Sequence, residues 1–177
     1  DDMYLFSRFR FKNYWRFDLL TGKKFNVIDT RELRGGSSLR IDDKTRITMG
    51  IQSNSQKDLM AAFTGGFVRS QDNITWENEY QLQINWRISN RLSLSSISSY
   101  SGEVDNSQYV KSKTINNSKE YLVGQLDRQT FYTTLRAEFF ITPELSLQYY
   151  GSPYVSAGNY LDYRKVTDSK SKNLAER

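Results

Sequence analysis

Apolar and polar side chains alternate without a break along one stretch of the chain, from Trp76 to Ile88. From Tyr80 onward every even position is large and apolar, and from Glu77 onward every odd position is polar or charged. This period of two predicts a β-strand with one apolar and one polar face. Its two tryptophans stand ten residues apart, ~33 Å along a strand and ~25 Å after a typical tilt. That height matches the apolar band of an outer-membrane barrel, which carries aromatic residues at both interfaces.

The same alternation predicts seven strands along the chain. They are about Tyr4 to Asp18, Arg46 to Asn54, Leu59 to Ser70, Ile74 to Ser89, Leu92 to about Tyr109, about Gln129 to Ile141, and Leu145 to about Tyr160. Two polar segments, Leu19 to Thr45 and Lys111 to Lys119, are predicted as loops. The paired glycines 65 and 66 predict a bend or bulge, and the alternation slips near Ser96-Ile97, which predicts another bulge.

Three predicted turns share one form, a short polar turn followed by leucine: Lys57-Asp58-Leu59, Asn90-Arg91-Leu92 and Pro143-Glu144-Leu145. Counting strands places all three at one end of an antiparallel meander, with the longer loops at the other end. Bacterial barrels have this asymmetry and close with an even strand number from eight upward. The predicted fold is therefore all-β, an antiparallel meander forming part of a transmembrane outer-membrane β-barrel.

The predicted barrel part covers residues 1–168, and residues 169–177 are predicted as a polar tail or the start of a loop. The chain begins inside a β-pattern without a signal peptide and stops without a closing aromatic strand. We therefore expect a fragment, open at both ends. The missing strands would come from the rest of the same polypeptide or, as the alternative, from other copies.

The alternation sorts the candidate site residues into two sets. Charged residues predicted to face the lumen are Arg8, Arg10, Lys12, Arg16, Glu77, Glu79, Arg87, Arg136 and Glu138. Residues predicted to face lipid or to form the aromatic girdle are Trp15, Trp76, Tyr80, Leu82, Ile84, Trp86, Phe139 and Tyr149. The predicted loop-end tyrosines Tyr109, Tyr154 and Tyr160 are candidates for stacking on a sugar.

Composition narrows the function further. Hydrophobic residues make up 37% and mean hydropathy is -0.69, which suits strands with one face on a polar lumen. The chain contains no Cys and no His, which excludes zinc sites, nucleophilic pairs and redox chemistry built on those side chains. We expect no catalytic, cofactor or metal site in this segment. Net charge is +5, but the basic residues are dispersed, so no nucleic-acid partner is expected.

Two polar groupings have both a functional and a structural interpretation. Glu77 and Glu79 would share a strand face at roughly the ~5–9 Å carboxylate spacing of glycoside hydrolases. Barrel lumens also hold such carboxylates against arginines, and Arg87 and Arg136 are the candidate partners. The basic face of the first strand would attract anionic solutes or stiffen the wall through ion pairs.

Four segments carry a resemblance to a known family. They are Leu33-Arg34-Gly35-Gly36, Ser89-Asn90-Arg91-Leu92-Ser93-Leu94, Gln108-Tyr109-Val110 and the long motif from Thr142 to Tyr160. Together they resemble the C-terminal barrel domain of unknown function of large Gram-negative outer-membrane proteins. In that family the domain follows an N-terminal module similar to family 9 carbohydrate-binding modules. The resemblance covers roughly residues 30 to 168; Ser37 departs from it, because proline often follows the glycine pair there.

The resemblance implies a bacterial outer-membrane barrel with a sugar-binding-like module elsewhere in the protein, and it carries over no catalytic residue. We expect a non-catalytic anchor or pore of a glycan-related surface protein. Expected partners are outer-membrane lipid and further strands of the same polypeptide, with glycan and other outer-membrane proteins as additional candidates. The alternatives are the wall of a TonB-dependent-type receptor or specific porin, part of a carbohydrate-active enzyme with its site elsewhere, and a soluble β-sandwich adhesin.

Overall fold

The computed structural model describes residues 1–71, 74–115 and 117–177. Within these residues every regular element is a strand. The strands are β1 (Asp2–Arg10), β2 (Arg16–Lys24), β3 (Val27–Asp29), β4 (Leu39–Ile41), β5 (Lys44–Gln52), β6 (Leu59–Ser70), β7 (Trp76–Arg87), β8 (Leu92–Ile115), β9 (Ser118–Thr142), β10 (Leu145–Gly151) and β11 (Tyr154–Lys165). None of the described residues belongs to a helix with the length and apolar character that a membrane crossing requires.

One large antiparallel sheet holds all strands except β3 and β4, which pair with each other. Its order is β1-β2-β5-β6-β7-β8-β9-β10, and β11 also pairs with β9. β10 and β11 lie on successive parts of β9 and act as one strand interrupted at Ser152-Pro153. The all-β antiparallel meander is therefore confirmed. Among the described residues, β1 and the β10–β11 strand are the two edges of the sheet.

Several predicted strands agree closely with the observed ones. β6 has the predicted bounds, Leu59–Ser70, and β8 and β10 begin at the predicted leucines. Both positions follow short polar turns, and the amide of Leu92 is held there by the Ser89 side chain at 3.1 Å. Short turns fix hairpin register, so the ladders on either side of them match the predicted alternation.

The predicted first strand, Tyr4 to Asp18, is instead a hairpin. β1 and β2 pair with Phe9 opposite Phe17 and Arg10 opposite Arg16, and the chain reverses over residues 11–15. Tyr14 adopts a positive φ of 65° in this turn, and the amides of Phe11 and Tyr14 close it through bonds of 2.9 Å. The apolar alternation continues through the turn, so periodicity alone reads the two strands as one.

The two predicted loops are also shorter than expected. Within Leu19 to Thr45, β2 continues to Lys24, β3 and β4 form a small hairpin, and β5 begins at Lys44. Over Lys111 to Lys119, β8 and β9 stay paired as far as Ile115 opposite Ser118. A projecting hairpin is solvated on both faces, so its strands need no apolar alternation and resemble a loop in sequence.

Neither predicted bulge is observed. The ladders of β7 with β8 and of β8 with β9 run without a shift past Ser96-Ile97, which places Ile97 on the polar face. The ladders of β6 are likewise continuous at Gly65 and Gly66. The shifts in β8 lie later, between Asp105 and Gln108 and between Tyr109 and Lys111. The alternation is therefore interrupted at Ile97 because one apolar side chain lies on the polar face, and not because the register shifts.

The connections differ at the two ends of the sheet. The end we call the turn end holds four short connections, residues 11–15, 53–58, 88–91 and 143–144. The opposite end, the loop end, holds the long connection 25–43, the shorter connection 71–75 and the projecting tip of β8 and β9. The long connection therefore lies at the predicted end, and the first hairpin adds one short turn to the turn end.

The largest buried cluster lies beside the loop end and not under the sheet. Leu33, Leu39 and Val123 are fully buried there, with Tyr109 and Tyr121 packed against them. The predicted polar tail packs onto the same region, since the amide of Arg40 donates to Ser169 O at 2.7 Å. We call this region the cap; its parts are residues 25–43, the loop-end parts of β8 and β9, and residues 166–177.

Candidate functional site

The large sheet has one face of mainly apolar side chains, which we call the apolar face. Across the middle of the sheet one paired row carries Phe9, Phe17, Ile51, Phe63, Leu82, Ser98 and Thr133. Leu82 is 44% exposed and Phe63 is 45% exposed, although both lie in central strands. Contiguous exposed apolar patches of this extent are rare on soluble monomers and mark a surface that another apolar phase or partner covers.

The residues predicted for lipid or the girdle mostly lie on this apolar face. Leu82, Trp86, Phe139 and Tyr149 are exposed there. Ile84 is half-buried on the same face. Tyr80 is half-buried because its ring lies between Phe63 and Phe67, at centroid distances of 6.4 and 5.9 Å. Trp76 lies under Arg69, whose guanidinium is 5.5 Å from the ring centroid. Trp15 differs, since it lies in the 11–15 turn.

The other face, the polar face, carries the ion pairs of the sheet. Near the turn end Asp18 on β2 accepts a hydrogen bond from Arg8 on the neighbouring strand at 2.7 Å and forms an ion pair with Arg16 of its own strand at 3.1 Å. Farther along the sheet Glu103 pairs with Arg128 at 2.7 Å. Arg10 projects to the same side as Arg8, while Lys12 lies in the turn. Within the basic cluster that the sequence places at the start of the chain, Asp18 thus pairs with Arg8 and Arg16.

On β7, Glu77 pairs with an arginine other than the predicted Arg87 or Arg136. Glu77 lies 3.8 Å from Arg46 on β5. Arg87 lies near the turn end, where it pairs with Asp58 at 3.6 Å, and Arg136 stacks on Tyr150 at 5.9 Å. Neither arginine therefore serves Glu77 or Glu79. Arg87, Arg136 and Glu138 instead line a shallow groove of about 410 Å³ at the turn end of the polar face.

Sequence reasoning did not single out Asp18, Arg46, Glu103 or Arg128. Each is the partner of a charge on an adjacent or next-but-one strand, so only the register of the sheet brings the pairs together. A signal was present for Asp18, which is the one acidic residue between Arg8 and Leu20. Among the described residues no group of three or more Asp or Glu side chains is placed to hold a metal ion.

The turns of the sheet lie along an inclined line. The last rung of β1 and β2 joins Arg10 to Arg16, and the first of β9 and β10 joins Thr142 to Leu145. The paired row that starts at Arg16 crosses the sheet and reaches β9 at Thr134. Thr142 lies eight residues beyond that point toward the turn end, and the two turns are about six strand spacings apart. The line of turns therefore advances ~26 Å along the strands while it crosses ~29 Å of the sheet. If the line of turns lies in one plane, the strands tilt by about 40° from the perpendicular to that plane.

The cap contributes one titratable group with a distinct environment. Burial of the Glu32 carboxyl raises its pKa, and the nearby charges of Asp105 and Asp29 raise it further. A backbone hydrogen bond from Tyr109 and the charge of Lys44 lower the pKa, but the net shift of the Glu32 pKa is upward. Glu32 thus lies between residues of the connection 25–43 and β8, where water is partly excluded.

These features define a class of protein, an all-β domain built on one antiparallel meander with an exposed apolar face and an ion-paired polar face. The chain belongs to the family described as Domain of unknown function (DUF5916), which matches residues 2–175. No curated protein and no solved structure matches the chain.

Proposed function

We propose that this domain is part of the wall of a transmembrane β-barrel in a bacterial outer membrane. The observation that carries the proposal is the inversion of the sheet, whose apolar side chains are exposed while its charged side chains pair on the opposite face. At roughly 25 cal/mol per Å² of apolar area, leaving such a face in water forgoes a large part of the stabilisation of a folded domain. Bilayer hydrocarbon would cover that face without another protein layer.

The inclination of the strands supports the same proposal. Strands of outer-membrane barrels tilt by about 35–45° from the barrel axis, and the line of turns here implies about 40°. With that tilt the two tryptophans of β7 stand ~25 Å apart along the membrane normal, which is the height of the apolar band. The turn end would lie at one membrane surface.

The boundary of the apolar band is visible beside the loop-end tryptophan. Arg69, directly opposite Trp76 on the neighbouring strand, also lies on the apolar face. A polar side chain thus appears next to Trp76, as expected at an interface. Within the band, the hydroxyls of Ser98 and Thr133 bond each other at 2.8 Å, so neither would be left unsatisfied in hydrocarbon.

The two edges of the sheet call for further strands. β1 and the β10–β11 strand have no outer neighbour among the described residues. Unpaired backbone groups in hydrocarbon cost several kcal/mol each, so both edges would be paired in a membrane. We propose that strands of the same polypeptide pair with them, and strands from other copies are the second choice.

The resemblance to barrel domains of Gram-negative surface proteins with a family 9-like carbohydrate-binding module bears on the role of the wall. We propose a non-catalytic anchor or pore for a glycan-related surface protein. The mixed and paired charges of the polar face favour a stiff wall over a ring selective for one sign of charge. A TonB-dependent-type receptor or specific porin would instead carry a plug domain or conduct solutes.

The test uses the full-length protein extracted from outer-membrane fractions. We expect its mobility in SDS gels to change on boiling, because closed barrels resist SDS until heated. An unchanged mobility, together with recovery in the soluble fraction, would contradict the proposal and favour a β-sandwich adhesin or an enzyme. Retention of a glycan-hydrolysing activity after deletion of this domain would assign the activity to another part of the protein and would leave the barrel proposal to the gel test.

A further inference from the structure

The connection between β2 and β5, residues 25–43, crosses the polar face at the loop end. We call it the strap. At its start the amide of Asn26 donates to Asp43 Oδ1 at 2.9 Å, which holds the two ends together beside β5. Its middle reaches β8 and β9, where Leu33 packs against Val123 and Tyr109. The hydroxyl of Tyr121 also donates to Gly35 O at 3.4 Å. The strap is therefore fixed on both sides of the polar face.

A cavity of about 280 Å³ lies between the strap and the strands. Its lining comes from both, with Lys24, Lys44 and Val68 from the strands and Val27, Asp29 and Ile41 from the strap. The volume is just below the range of about 300–1,000 Å³ typical of small-ligand pockets. A ligand the size of a free amino acid would fit, and a disaccharide would not.

The strand side of the cavity is basic. Lys24 and Lys44 face each other on one rung of the β2–β5 ladder, and both project onto the polar face. Like charges directly opposite on a sheet destabilise it, so an anionic group between them would be favoured. Lys24 has only a long contact to Asp2, at 3.9 Å, and Lys44 makes no ion pair within 4.0 Å among the described residues. Arg46 in the same lining is already paired with Glu77.

The strap side of the cavity is acidic. Asp29 holds the strap locally through one oxygen, Oδ1, which accepts the amides of Arg31 and Glu32 at 2.6 and 3.1 Å. Its second oxygen makes no hydrogen bond within the part of the chain that the structure describes, and so can accept one from a ligand. Asp42 is already paired with the buried Arg177. Asp29 is therefore the carboxylate that is open to a cationic ligand group.

Apolar side chains complete the lining. Val27 and Ile41 come from the paired strands of the strap, and the buried Val68 comes from the polar face of β6. The cavity thus offers cations on one wall, a carboxylate on the other and an aliphatic surface as well. Complementary groups in this arrangement are a carboxylate, an ammonium and an aliphatic side chain in one small molecule.

We propose that this cavity binds a small zwitterion with an aliphatic side chain, a free α-amino acid in its simplest form. The ligand carboxylate lies between Lys24 and Lys44, its ammonium on Asp29, and its side chain against Val27, Ile41 and Val68. The site depends on the strap and the strands alone, and it does not require that the apolar face lies in a membrane. Its test is therefore separate from the gel test of the barrel.

The first experiment is titration calorimetry on the full-length protein in detergent with three probes that share the leucine side chain. L-leucine carries both charges, N-acetyl-L-leucine lacks the ammonium and L-leucinamide lacks the carboxylate. We expect L-leucine to bind and each analogue to bind about tenfold more weakly or worse, because each loses a charge-assisted contact. Equal affinity for all three probes, or no heat with L-leucine, would overturn the proposal.

Paired variants test the orientation. Asp29→Asn keeps the oxygen that accepts the two strap amides and removes the charge, so the strap remains closed. We expect it to weaken L-leucine about tenfold and to leave N-acetyl-L-leucine unchanged. Lys44→Gln should weaken L-leucine and leave L-leucinamide unchanged. The matched control is Lys113→Gln, an exposed lysine of the projecting hairpin, which should alter neither. Variants that shift all probes alike would assign the binding to a different place.

Discussion

The apolar face and the cap use the same kinds of side chain in opposite ways. In the cap Leu33 and Leu39 are 1% and 0% exposed, and their neighbours come from distant parts of the chain. On the apolar face Leu82 and Met49 are 44% and 42% exposed, and their neighbours are those of the sheet alone. The cap has an interior of its own, whereas the sheet has one layer only.

The difference shows where each region obtains its stability. The cap removes its leucines from water within the chain, so its packing is independent of what surrounds the protein. The sheet gains from its apolar side chains only if lipid, detergent or another protein covers them. Substitutions in the two regions should therefore respond differently to the solvent phase, which is a property that experiments can separate.

The largest expected effect is on the apolar face. Replacing Leu82 by Arg should destabilise a membrane-inserted barrel by about 2–4 kcal/mol, because Leu82 lies near the middle of the apolar band. Ile84→Arg should cost less, because Ile84 lies closer to the girdle at Trp86. Gln83→Arg, one residue away on the polar face, should cost much less. Unfolding by denaturant in lipid vesicles measures the difference. Equal destabilisation by arginine at positions 82 and 83 would contradict the assignment of the two faces.

A smaller and local effect is expected in the cap. Leu39→Ala should cost about 2–3 kcal/mol, at the low end for buried leucines, because a cluster of three residues can partly collapse around the lost atoms. Hydrogen exchange should show faster opening of the strap and unchanged exchange in β6 and β7. The cost should be the same in detergent and in vesicles. A cost that depends on the lipid phase would place the cap, too, in contact with the membrane.

The smallest effect concerns Glu32, and its sign follows from the raised pKa of that carboxyl. The folded protein holds the Glu32 proton to a higher pH than the unfolded chain does, so folding is penalised as the pH rises through the interval between the two pKa values. Glu32→Gln removes that penalty at pH 7, where the strap should open less often than in the wild type. Below about pH 4, where Glu32 is protonated in both states, the two proteins should match.

Hydrogen exchange of the strap at the two pH values measures this difference. Glu144→Gln in an exposed short turn is the control and should change strap opening at neither pH. If Glu32→Gln accelerates strap opening at pH 7, the carboxylate stabilises the cap and the inferred sign is wrong.

The sequence predicted the central strands well because three local signals agree there. In β7 the alternation is regular, its apolar face is uninterrupted from Tyr80 to Trp86, and short polar turns precede both β6 and β8. The predicted assignment of side chains to faces is also correct in a region where the predicted strand bounds are wrong. Phe9 and Phe17 were assigned to one face of a single strand, and they share a face of the β1–β2 hairpin with ring centroids 6.2 Å apart.

The first hairpin was missed because its turn lacks glycine and proline. Tyr14 takes the left-handed conformation there, which tyrosine rarely adopts, and the side chain of Asn13 accepts the amide of Trp15 at 3.2 Å. Asn13 was the available signal, since asparagine side chains commonly hydrogen-bond to the backbone in this way in turns. The length of the predicted first strand was a second signal, because its fifteen residues exceed the usual length of a strand.

The cap could not be predicted from local pattern. Leu33 and Leu39 lie in a polar segment and become an interior only because the strap reaches β8 and β9. The partners of Glu77 and Arg8 likewise depend on strand register, which one strand considered alone does not contain. Long-range pairing thus determines the cap, the cavity and the ion pairs, while local alternation determines which face each side chain occupies.

The central claim is that the apolar face contacts lipid and the polar face does not. The chain has no cysteine, so the single variants Leu82→Cys, Gln83→Cys and Ile84→Cys each introduce one reactive thiol into this segment. In native outer membranes a hydrophilic maleimide should label position 83 and spare 82 and 84, and fluorophores at 82 and 84 should be quenched by nitroxide lipids. Equal labelling at the three positions, with no quenching by lipid, would contradict the account.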